Sequence, residues 1–308
     1  MLKRSKRNLP LRVKMAARRA LDNLGRPKLN YVETHLADHC NLNCKGCYHY
    51  APIAETRFAD IREHEKDMRR LKQLFHEVRK IRLLGGEPLL HPDLVSFIEA
   101  TRRIFPQSDI RIATNGILLP KADPHFWKAC RDAGATIDLT VYPPVEPHLG
   151  ALRILCDANG VPLHVFTVRR TIYAHHNRNG NSDRHKAFNA CRKIYFCPFL
   201  RDGRLYTCWM SALVHYFNDR FGCQIPADEG IDIHSQSVTG RKILWRLSRP
   251  IETCRWCAYE FVPFPWARSG RMPEDWDAIT PERAAEPQHR IFAAAGTMPL
   301  LSDRKSGH

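Results

Sequence analysis

The sequence predicts an α/β protein whose parallel strands curl into part of a barrel, followed by a smaller cysteine-bearing unit. Short apolar runs alternate with stretches of helical periodicity up to residue 168. Such alternation implies parallel strands joined by right-handed crossovers. About five strand–helix units fit that span, fewer than the eight of a closed barrel. The segments richest in chemistry-bearing residues each follow or end a predicted strand, where parallel α/β folds build their sites.

The elements follow in order. Residues 12–24 fit a basic amphipathic helix stopped by Gly25 and Pro27. Tyr31 to Leu36 reads as the first strand. Met68, Leu71, Leu74, Phe75 and Val78 sit at helical spacing within 63–79. Residues 81–84 form a second strand that stops at Gly85-Gly86. A helix over 93–104 buries Leu94, Phe97 and Ile98; a strand over 110–113 ends at Thr114-Asn115-Gly116. A helix over 124–133, a strand over 136–142, a helix over 146–158 and a strand over 163–168 complete the alternation. The polar, His-rich stretch 169–190 reads as a long loop. Residues 196–200 and 205–209 flank Asp202-Gly203 as a hairpin. From Ala267 the periodicity is lost, which reads as a peripheral tail.

With 308 residues and 44% hydrophobic content, the chain has the composition of a globular protein. No run approaches the roughly 20 apolar residues of a membrane span, and Met1 to Arg19 lacks the apolar stretch of a signal peptide. A cytoplasmic location is therefore expected. The net charge of +16 and pI near 9.6 suit an acidic partner. That charge concentrates before residue 20 and again over 169–186, where a solvated arm and loop explain it better than a binding surface does.

There are 11 cysteines, an odd number. Without an export signal, grouped cysteines point to metal ligation rather than disulfides. One group is Cys40-Asn-Leu-Asn-Cys44-Lys-Gly-Cys47. It offers three thiolates in one loop, while a [4Fe–4S] cluster takes four ligands, so one iron would stay open to a substrate or cofactor. A zinc site completed by His49 or His35 would use the same residues. The second group is Cys191, Cys197, Cys208, Cys254 and Cys257. It surrounds the predicted hairpin and ends in a C-x₂-C pair, which serves zinc or iron–sulfur chemistry. Cys130, Cys156 and Cys223 stand apart as ordinary thiols.

Taken with Gly85-Gly86-Glu87-Pro88 after the second strand, the C-x₃-C-x₂-C loop resembles the radical S-adenosylmethionine (SAM) superfamily over about residues 30–168. The resemblance implies a partial (β/α)6-type TIM barrel over 29–188, preceded by a basic arm over 1–28. It implies that Cys40, Cys44 and Cys47 hold a [4Fe–4S] cluster whose fourth iron is chelated by SAM. Gly85, Gly86, Glu87 and Pro88 would line the SAM site, with Glu87 accepting from the methionyl ammonium. Thr114, Asn115 and Thr140 would meet its ribose or methionyl part. Where many members carry an aromatic residue before the third cysteine, this chain has Gly46; Tyr48, Tyr50 or a nearby backbone segment is expected to serve instead. The implied chemistry is reductive SAM cleavage and hydrogen abstraction by a 5′-deoxyadenosyl radical.

The second cysteine group resembles a twitch extension, a shortened SPASM domain carrying one auxiliary [4Fe–4S] cluster. It would span 189–266 as a β-hairpin and helix, leaving 267–308 as the tail. Its ligands would be Cys191, Cys208, Cys254 and Cys257, with Cys197 either replacing Cys191 or acting as a catalytic thiol. Together these features imply a polar small-molecule substrate (a sugar or aminocyclitol) oxidised or epimerised, His49 lining its cavity, and a flavodoxin- or ferredoxin-type electron donor. The alternatives are a radical SAM modifier of a ribosomal peptide or tRNA, and a zinc-stabilised basic nucleic-acid binder. No leader-binding or nucleic-acid module is recognisable, so neither a peptide nor nucleic acid is the expected partner.

Overall fold

The structure is a computed structural model, and it describes residues 25–194, 197–228 and 230–280. The expected helix over 12–24 and the end of the tail from 281 lie outside the described residues.

Five parallel strands form the core of one sheet: β1 (Lys28–His35), β2 (Glu77–Leu84), β3 (Asp109–Thr114), β4 (Thr136–Val141) and β5 (Leu163–Val168). The crossovers contain helices α1 (Ile61–Leu74), α2 (Leu94–Ile104), α3 (Pro124–Asp132) and α4 (Leu149–Ala158). Each helix turns an apolar face onto the sheet, so Met68, Leu71, Phe97, Ile98 and Trp127 join Val32, Ile81, Ile112 and Ile137 in one buried core. Asp60 starts α1 by accepting from the Arg62 and Glu63 amides at 2.8 and 3.1 Å.

α1 ends earlier than its periodicity predicted. Phe75 is already extended, the His76 amide donates to the Pro27 carbonyl, and Val78 lies on β2 opposite Leu29. Val78 continues the helical spacing, but pairing with β1 claims its backbone; the tertiary partner overrides the local pattern.

The stretch expected as a long loop contains two elements. β6 (Thr171–Ile172) pairs with β10 (Phe264–Pro265), and α5 (Arg184–Ile194) begins at Asp183, whose carboxylate accepts from the His185 and Lys186 amides. The hairpin is as expected: β7 (Phe199–Arg201) and β8 (Arg204–Tyr206) turn through Asp202 and Gly203, both at positive φ. Trp209 does not continue β8 but opens α6 (Trp209–Phe221). The short β9 (Ile231–Asp232) and α7 (Gly240–Leu247) follow.

The sheet order is β5-β4-β3-β2-β1-β7-β8-β9. β7 is parallel to β1, so six strands run in parallel, but the sixth joins beside β1 instead of following β5. On β5, the exposed His164, Phe166 and Val168 alternate with half-buried neighbours. The partial barrel thus stays open along β5 and continues through β1 into the hairpin. A second core of Tyr50, Phe199, Leu213, Phe217 and Trp276 joins the hairpin and α6 to the segment after β1. Among the described residues, no helix is long and apolar enough to cross a membrane.

Candidate functional site

Beyond β1 the chain enters the cysteine loop, which two glycines hold against the end of β2. The Gly86 amide donates to the Ala37 carbonyl at 2.6 Å and the Glu87 amide to the His39 carbonyl at 3.1 Å. A Cβ on Gly86 would fall inside the van der Waals shell of the His39 carbonyl and 2.7 Å from the Asp38 oxygen. Only glycine permits this approach of two backbones.

Glu87 is fully buried beneath the loop. One carboxylate oxygen accepts from the Leu89 amide and the Thr114 hydroxyl, at 3.1 and 2.7 Å; the other accepts from the Asn115 amide at 2.9 Å. Burial lifts its pKa to about 7 against the pull of those donors. Pro88 opens the short 3₁₀ turn that follows. The Asn115 side-chain amide donates to Asn41 Oδ1 at 2.7 Å and lies 3.6 Å from Cys40 Sγ. Gly85, Gly86, Glu87, Pro88, Thr114 and Asn115 therefore form one connected support for the cysteine loop. Thr140 stands apart on β4, opposite Thr167.

Cys40 Sγ also faces the Leu42 amide at 3.4 Å, and Cys44 Sγ accepts from the Trp266 indole at 3.1 Å. Burial raises the thiol pKa of all three cysteines, with Cys44 at about 12. Thiolates in this place therefore need a bound cationic group to stabilise them.

Tyr50 does not face this site. It is wholly buried and its hydroxyl bonds His176 Nε2 at 2.6 Å. Tyr48 lies at the loop, stacked on Trp209 at 5.3 Å with the Arg169 guanidinium 5.2 Å from its ring centroid. Gly46 is at positive φ, and a Cβ there would press on Ile172, Phe264 and the Asp275 carbonyl at 3.1–3.3 Å. His49 Nδ1 donates to the Gly85 carbonyl at 3.0 Å. Burial and the neighbouring His35 push its pKa to about 3. As placed, His49 is a neutral tie between loop and β2 rather than a titrating acid at neutral pH. His35, the other histidine considered for zinc, is instead held by Asp38 at 2.6 Å.

The tail expected to be peripheral is integrated from 267 to 280. The Lys45 amide donates to Ala267, the Ser269 amide to Asn43, and the Trp276 indole to the Cys47 carbonyl at 2.8 Å. Nothing in the local composition of this segment announces that role. Trp266, Trp276, Arg169 and Asp38 were all missed from sequence for the same reason: their partners are far away along the chain.

The second cysteine group also assembles. Cys191, Cys197, Cys208, Cys254 and Cys257 line one small apolar cavity beside β8 and α6. The Thr207 hydroxyl is buried there without a hydrogen-bond partner, so the cavity wall holds an unsatisfied polar atom. Burial raises the thiol pKa of Cys197, Cys208, Cys254 and Cys257, with Cys254 at about 12. Cys191 is exposed, whereas Cys197 lies within electrostatic reach of Glu33 on β1. Among the described residues, no three His, Cys, Asp or Glu side chains converge tightly enough to hold a single metal ion.

Part of this chain is similar to known proteins. Residues 35–146 match the radical SAM superfamily. The cofactors of that family are a [4Fe–4S] cluster and SAM, and the three thiols with their glycine-backed loop fit the first. The chain is 36% identical over 105 residues to GTP 3',8-cyclase of Microcystis aeruginosa, covering 33% of this chain and 32% of that protein. It is 35% identical over 121 residues to GTP 3',8-cyclase of Aquifex aeolicus, covering 37% and 35%. The matches thus span about a third of these relatives. A crystal structure of BtrN with AdoMet and 2-DOIA aligns at 15% identity and a TM-score of 0.41, over 74% of this chain and 92% of that one.

Proposed function

We propose that this protein is a radical SAM enzyme carrying two [4Fe–4S] clusters and acting on a polar small molecule. One observation supports the two-cluster reading above the others: Tyr50, fully buried, donates its amide to the Cys47 carbonyl at 3.1 Å and belongs to the core against which Cys208 and Cys257 pack. One side chain therefore lies between the two cysteine groups.

In this reading Cys40, Cys44 and Cys47 hold the first cluster. Cys208, Cys254, Cys257 and Cys191 hold the second, in a unit over about 189–266 that the segment 267–280 extends. When bound, the first cluster and SAM supply one-electron cleavage of the carbon–sulfur bond and hydrogen abstraction. The chain's own residues do the rest. Gly85 and Gly86 bring the loop close to β2, Glu87 anchors Asn115 beside Cys40, and the wrapped segment excludes water from Cys44 and Cys47.

A polar substrate is favoured by the wall of the partial barrel. Glu33, Arg82 and Asp138 are buried there and pair with one another, with Arg82 Nε 2.8 Å from Asp138 and its guanidinium 4.1 Å from the centre of the exposed Phe166 ring. Both signs of charge and an open edge suit a hydroxylated or amino-bearing molecule such as a sugar or aminocyclitol. The GTP 3',8-cyclase relatives favour a second reading, a nucleotide substrate, although their similarity is confined to about a third of each chain. Oxidation or epimerisation remains the expected outcome, with an external reductant such as flavodoxin or ferredoxin and a cytoplasmic site of action. Cys197, half-buried and within electrostatic reach of Glu33, is the thiol left over from the second ligand set.

The test is anaerobic reconstitution, with iron, sulfide and 5′-deoxyadenosine measured after SAM and dithionite are added. About eight irons with deoxyadenosine support the whole reading; about four with deoxyadenosine remove the second cluster. Zinc without deoxyadenosine overturns it. Deoxyadenosine release that is stimulated by GTP but not by aminocyclitols would select the nucleotide reading.

A further inference from the structure

The cysteine loop receives an indole N–H on a sulfur atom. Trp266 Nε1 lies 3.1 Å from Cys44 Sγ. Indole nitrogen is only a donor, and Cys44 is buried. Backbone contacts on both strands of the contact hold the pair in register. Lys45 donates to Ala267, Ser269 donates to Asn43, Cys44 forms a β-bridge with Arg268, and the Trp266 amide donates to the Arg170 carbonyl at 2.8 Å. The indole therefore meets this sulfur through a backbone match spanning more than 200 residues of chain. The other indole of the segment, Trp276, donates to a backbone carbonyl, that of Cys47, and to no sulfur in the described contacts.

We infer that Trp266 is a positioning residue that sets the reduction potential of the cluster on Cys40, Cys44 and Cys47. A hydrogen bond to a ligating thiolate withdraws electron density from sulfur and stabilises the more negative, reduced cluster. The bond thus raises the potential, which eases reduction of the cluster by an external donor and makes the reduced cluster a weaker reductant of SAM. The segment bearing Cys254 and Cys257 continues directly to this indole, so the C-terminal part of the chain contributes to the electronics of the N-terminal site.

The inference rests on the ligand set proposed above, and the two fail separately. If Cys44→Ala retains the SAM-responsive cluster, the ligand set is wrong whatever Trp266 does. The direct experiment is an EPR redox titration of the reconstituted full-length protein, following the reduced-cluster signal that SAM perturbs. Trp266→Phe keeps the ring and removes the donor. It is expected to load iron normally and to shift the midpoint to more negative potential. Trp276→Phe is expected to leave the midpoint in place. An unchanged midpoint in loaded Trp266→Phe overturns the inference, as does an equal shift in both variants. Should Trp266→Phe fail to load, wild-type protein labelled with indole-¹⁵N tryptophan decides. Pulsed EPR of the reduced SAM-responsive cluster is expected to show ¹⁵N coupling, and its absence overturns the assignment.

Discussion

The carboxylate of Asp38 receives both terminal nitrogens of Arg201, each at 2.7 Å, two residues before the first cysteine of the loop. Asp38 leaves the end of β1 and Arg201 ends β7, so this bidentate pair ties the cysteine loop to the hairpin. Tyr216 on α6 adds a hydroxyl at 2.6 Å and His35 a ring nitrogen at 2.6 Å. Burial opposes ionisation of Asp38, but the donors from Arg201 and His35 outweigh it and hold the carboxyl well below its ordinary pKa.

Breaking this pair is expected to be costly because each partner would leave the other buried and charged. Arg201→Leu and Asp38→Asn should each lose about 3–5 kcal/mol in chemical denaturation. The double variant should lose less than the sum of the two. Additive losses below about 1 kcal/mol each would show that the pair does not couple the two segments.

Removing two thiols tests the second cysteine group. Cys254→Ala with Cys257→Ala should lower reconstituted iron from about eight to about four per chain, with a SAM-responsive cluster signal retained. Cys44→Ala should do the reverse, losing that signal and SAM cleavage while the remaining iron stays. Iron unchanged by the first pair would remove the auxiliary cluster from the account.

A methyl group at Gly86 has no space. Gly86→Ala must separate the cysteine loop from the end of β2, because the obstacle is the backbone of Asp38 and His39 rather than a movable side chain. The expected loss is about 1–3 kcal/mol of stability with weakened SAM binding, seen together in thermal melts and calorimetric titration. Gly150→Ala meets open space and is the control that should keep SAM affinity.

His64 gives the fold a dependence on pH away from the cysteines. Its Nε2 lies 3.0 Å from Thr101 Oγ1, whose own proton goes to the Phe97 carbonyl, so the imidazole is the donor in its neutral form. Burial holds its pKa near 3. Below its unfolded value of about 6.5 the unfolded chain binds a proton that the folded chain refuses. Stability from this group is complete above that value and falls on acidification by up to about 1.4 kcal/mol per pH unit, ending near the folded pKa. Denaturation at pH 7 and pH 5 should show a smaller acid loss in His64→Gln than in wild type. Equal losses would assign the dependence to other groups.

Local pattern was enough to determine the alternating strands and helices, the hairpin at Asp202-Gly203 and the two cysteine groups. Periodicity, turn chemistry and ligand spacing act over a few residues, and those signals survive in sequence. The same signals carried the glycine pair after β2 and Glu87 behind it. Tertiary structure decided what lies far apart along the chain. It ended α1 before Val78 because β1 offered pairing, and it placed the sixth parallel strand beside β1. It turned Tyr50 away from the SAM side into a buried bond with His176. It also drew Trp266, at the end of the second cysteine unit, and the supposed tail with Trp276 across the cysteine loop, where they find Cys44 and Cys47. Hydrogen bonds between such distant residues depend on which surfaces the folded core brings together, and no local propensity encodes that.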